Sequence, residues 1–206
     1  MRKQAQTLKC LVVAVVVVSA LALKTQAFAG SYSRSAAVNY ALTYCGTPNT
    51  MNSTGYSPAF TAFESDCTNF VSQALLYGGW EEVGWNVFSS SHWFYNGNTT
   101  TYISRTWRLV DYLESFLISS GRASGPIAVN SSTYSYYLPG DLILADWEND
   151  GDMDHVYIVT AVHSDRLELA AHTTNRCGES FTTTSVYSDP HMPNVHMEGY
   201  FLYSSY

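Results

Sequence analysis

Apolar and polar positions change period once along the chain, and that change divides it into a helical half and a stranded half. Between Ser33 and Cys45, the residues Ala36, Ala37, Tyr40, Ala41 and Tyr44 recur at helical spacing behind serines that can cap a helix start. A Thr, Asn, Ser, Gly and Pro-rich loop follows from Gly46 to Phe63. Cys67, Phe70, Val71, Ala74 and Leu75 then stand at i, i+3, i+4, i+7 and i+8. This predicts a second helix, capped by Ser65 or Asp66, ended by Gly78-Gly79 and carrying Cys67 in its first turn. Trp80 to Thr101 has no period and reads as an aromatic, Ser/Asn-rich wall. Thr106 to Ser119 reads as one more helix, with Trp107, Val110, Leu113 and Leu117 on one face.

From Gly140 onward the period is two. Strands are predicted over Asp141–Ala145, His155–Val162, Arg166–Thr173 and Asn194–Tyr203, with an acidic turn at Asp146–Asp154 and a tight turn at Ser164-Asp165. Helices first and antiparallel strands after define an α+β class. A symmetric turn between Ser164 and Asp165 sets Tyr157 opposite His172 and puts His155 on the same sheet face, diagonal to His172. A single bulge would undo that, because it flips every side chain beyond it.

The chain has 206 residues, 46% of them apolar, 15% aromatic and 13% charged, enough for one domain with a real core and too apolar for disorder. Residues 1–29 are set apart. Arg2, Lys3 and Lys9 precede an apolar run from Leu11 to Leu23, and Ala27-Phe28-Ala29 supplies a small-x-small cleavage site, so a secretory signal is expected, with the domain spanning 30–206. The formal charge of −7 becomes −11 once that segment is removed, since six arginines then face 17 acids. Such a surface repels phosphate backbones and anionic lipid, so neither nucleic acid nor, after signal cleavage, a membrane is an expected partner.

Export makes the cysteines informative. Cys10 leaves with the signal, and Cys45, Cys67 and Cys177 remain in a compartment where disulfides persist: two can pair and one is left over, unless all three are buried thiols. A thiol at a helix start meets unpaired N–H groups and the positive end of the helix dipole, which lower its pKa. A helix-start thiol, a histidine opening a strand and a polar residue on the neighbouring strand form the set needed for nucleophilic amide hydrolysis without a metal. Backbone N–H groups at Cys67 would stabilise the oxyanion.

The strings DCTNFVSQALLYGGW, GDLILADWENDGDMDHVYIVT and AAHTTN, in this order after SRSAAVNYALTYC, resemble the putative amidase domain family of secreted bacterial proteins, from about Tyr32 to Tyr203. That family looks related to the NlpC-type and CHAP-type peptidoglycan amidases of the papain-like superfamily. The resemblance implies a papain-like fold, Cys67 as nucleophile, His155 as general base and acid, and His172 as the group orienting His155, with Asn175 as the alternative. Asp66 resembles the acid that holds a substrate amine in NlpC-type enzymes; a helix cap is its other reading. Thr61 stands where papain-type enzymes carry the oxyanion glutamine, which leaves that donor open to Tyr56 or the Asp66 backbone. Cys45, ending the first helix, and Cys177, past the His172 strand, are the pair expected to bridge.

The expected function is therefore hydrolysis of an amide bond in peptidoglycan or a wall-associated peptide by a secreted, monomeric enzyme without cofactor. The alternatives are an acyltransferase using the same thioester and a binding module in which Trp80, Trp85 and Trp93 grip glycan or peptide. Asp146–Asp154 has the alternating acids of a calcium loop, but Tyr157 stands where the bidentate glutamate belongs. Zinc would have to use His155, His172 and Cys67 without any familiar ligand spacing. Asn52, Asn98 and Asn130 begin N-x-S/T triplets of the kind chance supplies in a Ser/Thr-rich chain.

Overall fold

A computed structural model describes residues 30–46, 56–97, 99–173, 175–182 and 195–206. The expected signal segment, Asn52 and Asn98 lie outside these. The elements are α1 (Arg34–Tyr44), α2 (Cys67–Tyr77), α3 (Arg105–Arg108), α4 (Val110–Ser119), β1 (Ala123–Ala128), β2 (Leu142–Asp146), β3 (His155–Val162), β4 (Leu167–Ala171), β5 (Arg176–Phe181) and β6 (His196–Leu202), with 3-10 turns at Thr100–Tyr102 and Tyr134–Tyr136. All strand pairs are antiparallel and form one sheet in the order β1-β6-β2-β3-β4-β5. The class is α+β, as the change of period implies. Among the described residues no helix is long and apolar enough to cross a membrane.

The helix ends follow local chemistry. Ser33 caps α1 by accepting the Ala36 N–H, and the Gly78 N–H closes α2 onto Ala74 O. Gly79 has φ +101, and a Cβ there would stand 2.6 Å from the Ser31 carbonyl oxygen, so only glycine lets the chain leave α2 here. Between Arg105 and Ser119 the expected single helix is two, because Leu109 is extended at φ −125, ψ 129.

Helix α2 is buried on every side from Cys67 to Leu75. Its apolar residues Phe70, Val71, Ala74 and Leu75 join the core between the helices and one sheet face, where Leu144, Val156, Ile158 and Ala170 meet them. Its polar residues are satisfied by distant aromatics and tyrosines: Trp107 Nε1 donates to Asn69 Oδ1 at 2.8 Å, Trp93 Nε1 to Ser72 Oγ at 3.1 Å, and Tyr40 OH to Gln73 Oε1 at 2.7 Å. Buried amides and hydroxyls must be paired in this way, since each one left alone costs about 1–3 kcal/mol. The other sheet face carries a second core of Ile143, Ala145, Tyr157, Val159, Leu169 and Ala171, with Tyr134 and Tyr137.

Two ties hold α1 to the sheet. Arg34 donates to Asp141 Oδ1 at 2.7 Å, and also to the Pro139 and Leu202 carbonyls. Cys45 and Cys177 form a disulfide across 132 residues, as expected. Chain entropy assigns so long a loop roughly 5 kcal/mol of stabilisation.

Candidate active site

Two segments build the site: the loop leading into α2 and the open end of the β2–β3–β4 layer. Cys67 is the first residue of α2, 5% exposed, and the free cysteine of the described residues. Its Sγ lies 3.7 Å from Thr68 Oγ1. Burial pushes the thiol up, and the Asp66 carboxylate adds to that. Hydrogen bonds from Thr68 and from the Val156 backbone pull the other way without overcoming it. This reverses the expectation of a lowered pKa: at the start of α2 desolvation outweighs the helix dipole, and the resting group is a neutral thiol.

His155 opens β3 opposite Ala145 of β2. Its ring packs edge-on against Tyr157 at 4.5 Å and tilts against Trp147 at 5.6 Å. Burial, helped by the nearby Arg176 cation, holds its pKa down at about 3, so the imidazole is neutral. Among the described residues nothing hydrogen-bonds to it.

The two histidines do not share a face. β3 and β4 pair Val162 with Leu167 and Ala161 with Glu168, but Val159 with Leu169 and Ile158 with Ala170. One residue, Thr160, is bulged out, and every position beyond it is displaced by one. His172 thus lies on the helix side with Ala170, while His155 lies on the far side with Tyr157 and Ala145. The expected diagonal His155–His172 contact is absent for this reason.

His172 is fully buried and committed. Its Nδ1 stands 2.6 Å from Asp66 Oδ2 and its Nε2 2.7 Å from the Tyr44 carbonyl oxygen. A carbonyl only accepts, so Nε2 carries a hydrogen, and a proton also lies between Nδ1 and the carboxylate. The ring is sandwiched by Phe70 at 4.1 Å and Tyr56 at 4.0 Å. Neither nitrogen is left to orient His155.

Asp66 is 1% exposed, and its other oxygen accepts from Phe63 N at 2.8 Å and Asn69 Nδ2 at 2.7 Å. Its side chain makes no cap bond to α2. That side chain is a buried strut between the loop entering α2 and His172. Tyr56 is half-buried and donates to Asn175 Oδ1 at 3.3 Å, so both residues brace the same corner. Thr61, in the place of the missing glutamine, uses its backbone: N–H to Tyr95 OH, carbonyl to Asn69.

Sequence reasoning missed Thr173. It stands at φ +57, a left-handed conformation that β-branched residues rarely adopt, and its hydroxyl accepts the Asp66 N–H at 2.8 Å. The β4–β5 turn thus grips the residue before Cys67 twice, through His172 and Thr173. The acidic turn also folds on itself: Asp146 accepts from Gly151 N at 2.8 Å and Asp150 N at 3.2 Å, with Glu148 and Asp154 close by.

This α+β architecture, with a lone thiol at a helix start and a strand-opening histidine, belongs to a recognisable class. A family model described as "Putative amidase domain" matches residues 31–194, and the chain belongs to that family. Two proteins of Bacillus subtilis (strain 168) are similar. "Uncharacterized protein YhbB" is 30% identical over 138 residues, 67% of this chain and 40% of that protein. "Uncharacterized protein YjcM" is 31% identical over 153 residues, 70% of this chain and 32% of that protein. The chain therefore spans less than half the length of these relatives. No solved structure matches.

Proposed function

We propose that this chain is an exported thiol amidase of papain-like, NlpC-related ancestry that cleaves an amide bond in peptidoglycan or a wall-associated peptide. One observation carries the reading: of the two site histidines, His172 has both nitrogens engaged, whereas His155, beside the strand end that touches Cys67, is neutral with no bonded partner among the described residues. His155 is the base of the pair.

In the reaction, the Cys67 proton passes to His155 while sulfur bonds to the substrate carbonyl carbon. The imidazolium returns that proton to the amine as the C–N bond breaks, and His155 then deprotonates water to hydrolyse the thioester. N–H groups of the first turn of α2 face the oxyanion. The Val156 backbone, next to His155, bonds the Cys67 thiol, and the His155 ring turns toward Sγ when substrate enters; catalytic hydrogen bonds commonly tighten only in the complex.

Cys67→Ala and His155→Gln should each abolish amine release from purified sacculi, a loss of about a thousandfold or more. Retained hydrolysis in Cys67→Ala would overturn the reading. Transfer of the acyl group to added hydroxylamine would reveal an acyltransferase. The near-complete burial of Cys67 favours a second reading, a binding module without turnover. Alkylation separates the two: in a module Cys67 reacts slowly at every pH below its raised pKa, with or without sacculi, whereas in an amidase sacculi protect or acylate it.

A further inference from the structure

The segment that follows α2 carries an aromatic feature with no part in the Cys67 chemistry. Of the three tryptophans there, Trp80 and Trp93 are core residues, whereas Trp85 is 84% exposed. Tyr102, 58% exposed, shares with Trp85 the wall of a groove of about 450 Å3. Bridges from Val83 to Trp93 and from Tyr95 to Ile103 fix the walls, and Asn96 N donates to Tyr102 O at 3.0 Å. Glu82 is held by its Oε1, which accepts Tyr95 N, leaving its second oxygen uncommitted among the described residues. Asn96 and Thr101 complete the polar part of the lining. A second concavity, of about 560 Å3, shares Glu82 and Gly84 as a common wall, so the depression continues past one binding unit.

The geometry points to a glycan-binding groove, with Trp85 and Tyr102 as stacking platforms and Glu82 and Asn96 as hydrogen-bonding partners for a neutral oligosaccharide. Flat amphipathic rings with a few fixed polar groups suit a ligand that presents C–H faces and hydroxyl edges at once. Among the described residues Glu82 is the only charged one lining this groove, which disfavours anionic ligands; the continuing concavity adds Glu81 and Arg122. Val83 is already bridged to Trp93 and Tyr95 to Ile103, which occupies part of the backbone an extended peptide would use to add a strand. The groove needs no catalysis by Cys67, and it stands or falls separately from the amidase reading.

The test uses the Cys67→Ala protein, which cannot turn over substrate by that thiol, titrated with chitotetraose by calorimetry and tryptophan fluorescence. Saturable binding near or below about 1 mM is expected, with Trp85→Ala and Tyr102→Ala each weakening it about tenfold or more. Trp85→Phe should retain most of it, and Tyr136→Ala, exposed elsewhere, should leave it unchanged. Near-UV dichroism verifies that each variant is folded. Absence of saturable binding, or equal binding by Trp85→Ala, overturns the proposal, as does Trp85-dependent binding of a tetrapeptide amide in place of the sugar. In the Cys67-containing protein, Trp85→Ala should leave hydrolysis of a short soluble peptide amide intact, which keeps the two readings distinguishable.

Discussion

The two faces of strand β3 have different chemistry within a few residues. On the helix side, Val156 and Ile158 meet Cys67, Phe70 and His172, and the polar groups there are locked: His172 to Asp66 and Tyr44, Asp66 to Phe63 and Asn69. On the far side, His155 and Tyr157 sit near Arg176, and His155 is buried neutral without a bonded partner among the described residues. A locked imidazole can hold a loop still, and an unbonded one can move a proton. One bulge at Thr160 puts two histidines that the sequence pattern pairs on opposite faces of the sheet, one bonded at both nitrogens and the other at neither among the described residues.

The largest effect that would break this division is on the locked side. Asp66→Ala leaves the buried His172 ring and two buried donors without their acceptor, and should cost about 3–5 kcal/mol in urea unfolding, the usual cost of removing one member of a buried pair. His155→Gln, at a site with no hydrogen bond to lose among the described residues, should cost about 1 kcal/mol or less at pH 8. Equal losses would show that the two histidines do not differ in the way the bonds indicate.

Much of this was legible in the sequence, and the rest failed for identifiable reasons. The cores of α1, α2 and the central strands follow from periodicity, and the Cys45–Cys177 bridge follows from the place of each cysteine in the fold. Strands β1 and β5 escaped because they are the two edges of the sheet, where one or both faces meet water and alternation fades: ASGPIA is mostly exposed, and RCGESF is charged. The burial of Asn69, Ser72 and Gln73 escaped because their partners lie on Trp107, Trp93 and Tyr40, more than twenty residues away. The bulge escaped because apolar residues continue on both sides of Thr160. Cys67 and the strand position of His155 were legible, with His155 the expected base; that His172 is bonded at both nitrogens and lies on the other face was not, since it depends on that bulge.

An acid titration sharpens the comparison from the far side. The unfolded chain binds a proton at the ordinary histidine pKa of 6.5, whereas folded His155 refuses it until pH falls to about 3. Between those values the unfolded state holds more protons, so the stability present above pH 6.5 is lost as pH falls. The contribution from His155 alone reaches about 3 kcal/mol by pH 4. His155→Gln should flatten that limb in denaturant melts at stepped pH. Arg176→Met should move His155 protonation, followed by NMR, upward by less than desolvation moves it down, because the Arg176 cation is the smaller of the two causes.

The smallest effect tests the bulge itself. Thr160 is 8% exposed, and its hydroxyl is buried with no hydrogen-bond partner among the described residues. An unpaired buried hydroxyl costs free energy that a methyl group of the same shape does not, so Thr160→Val should be neutral or stabilise by about 1 kcal/mol. The bulge is set by the pairing of its neighbours and not by this hydroxyl, so the variant should keep His155 and His172 on opposite faces and leave amide hydrolysis unchanged. A destabilisation of more than about 1 kcal/mol would mean that the hydroxyl is bonded after all. A shift of the two histidine ring signals toward each other would mean that Thr160 itself selects which imidazole is free.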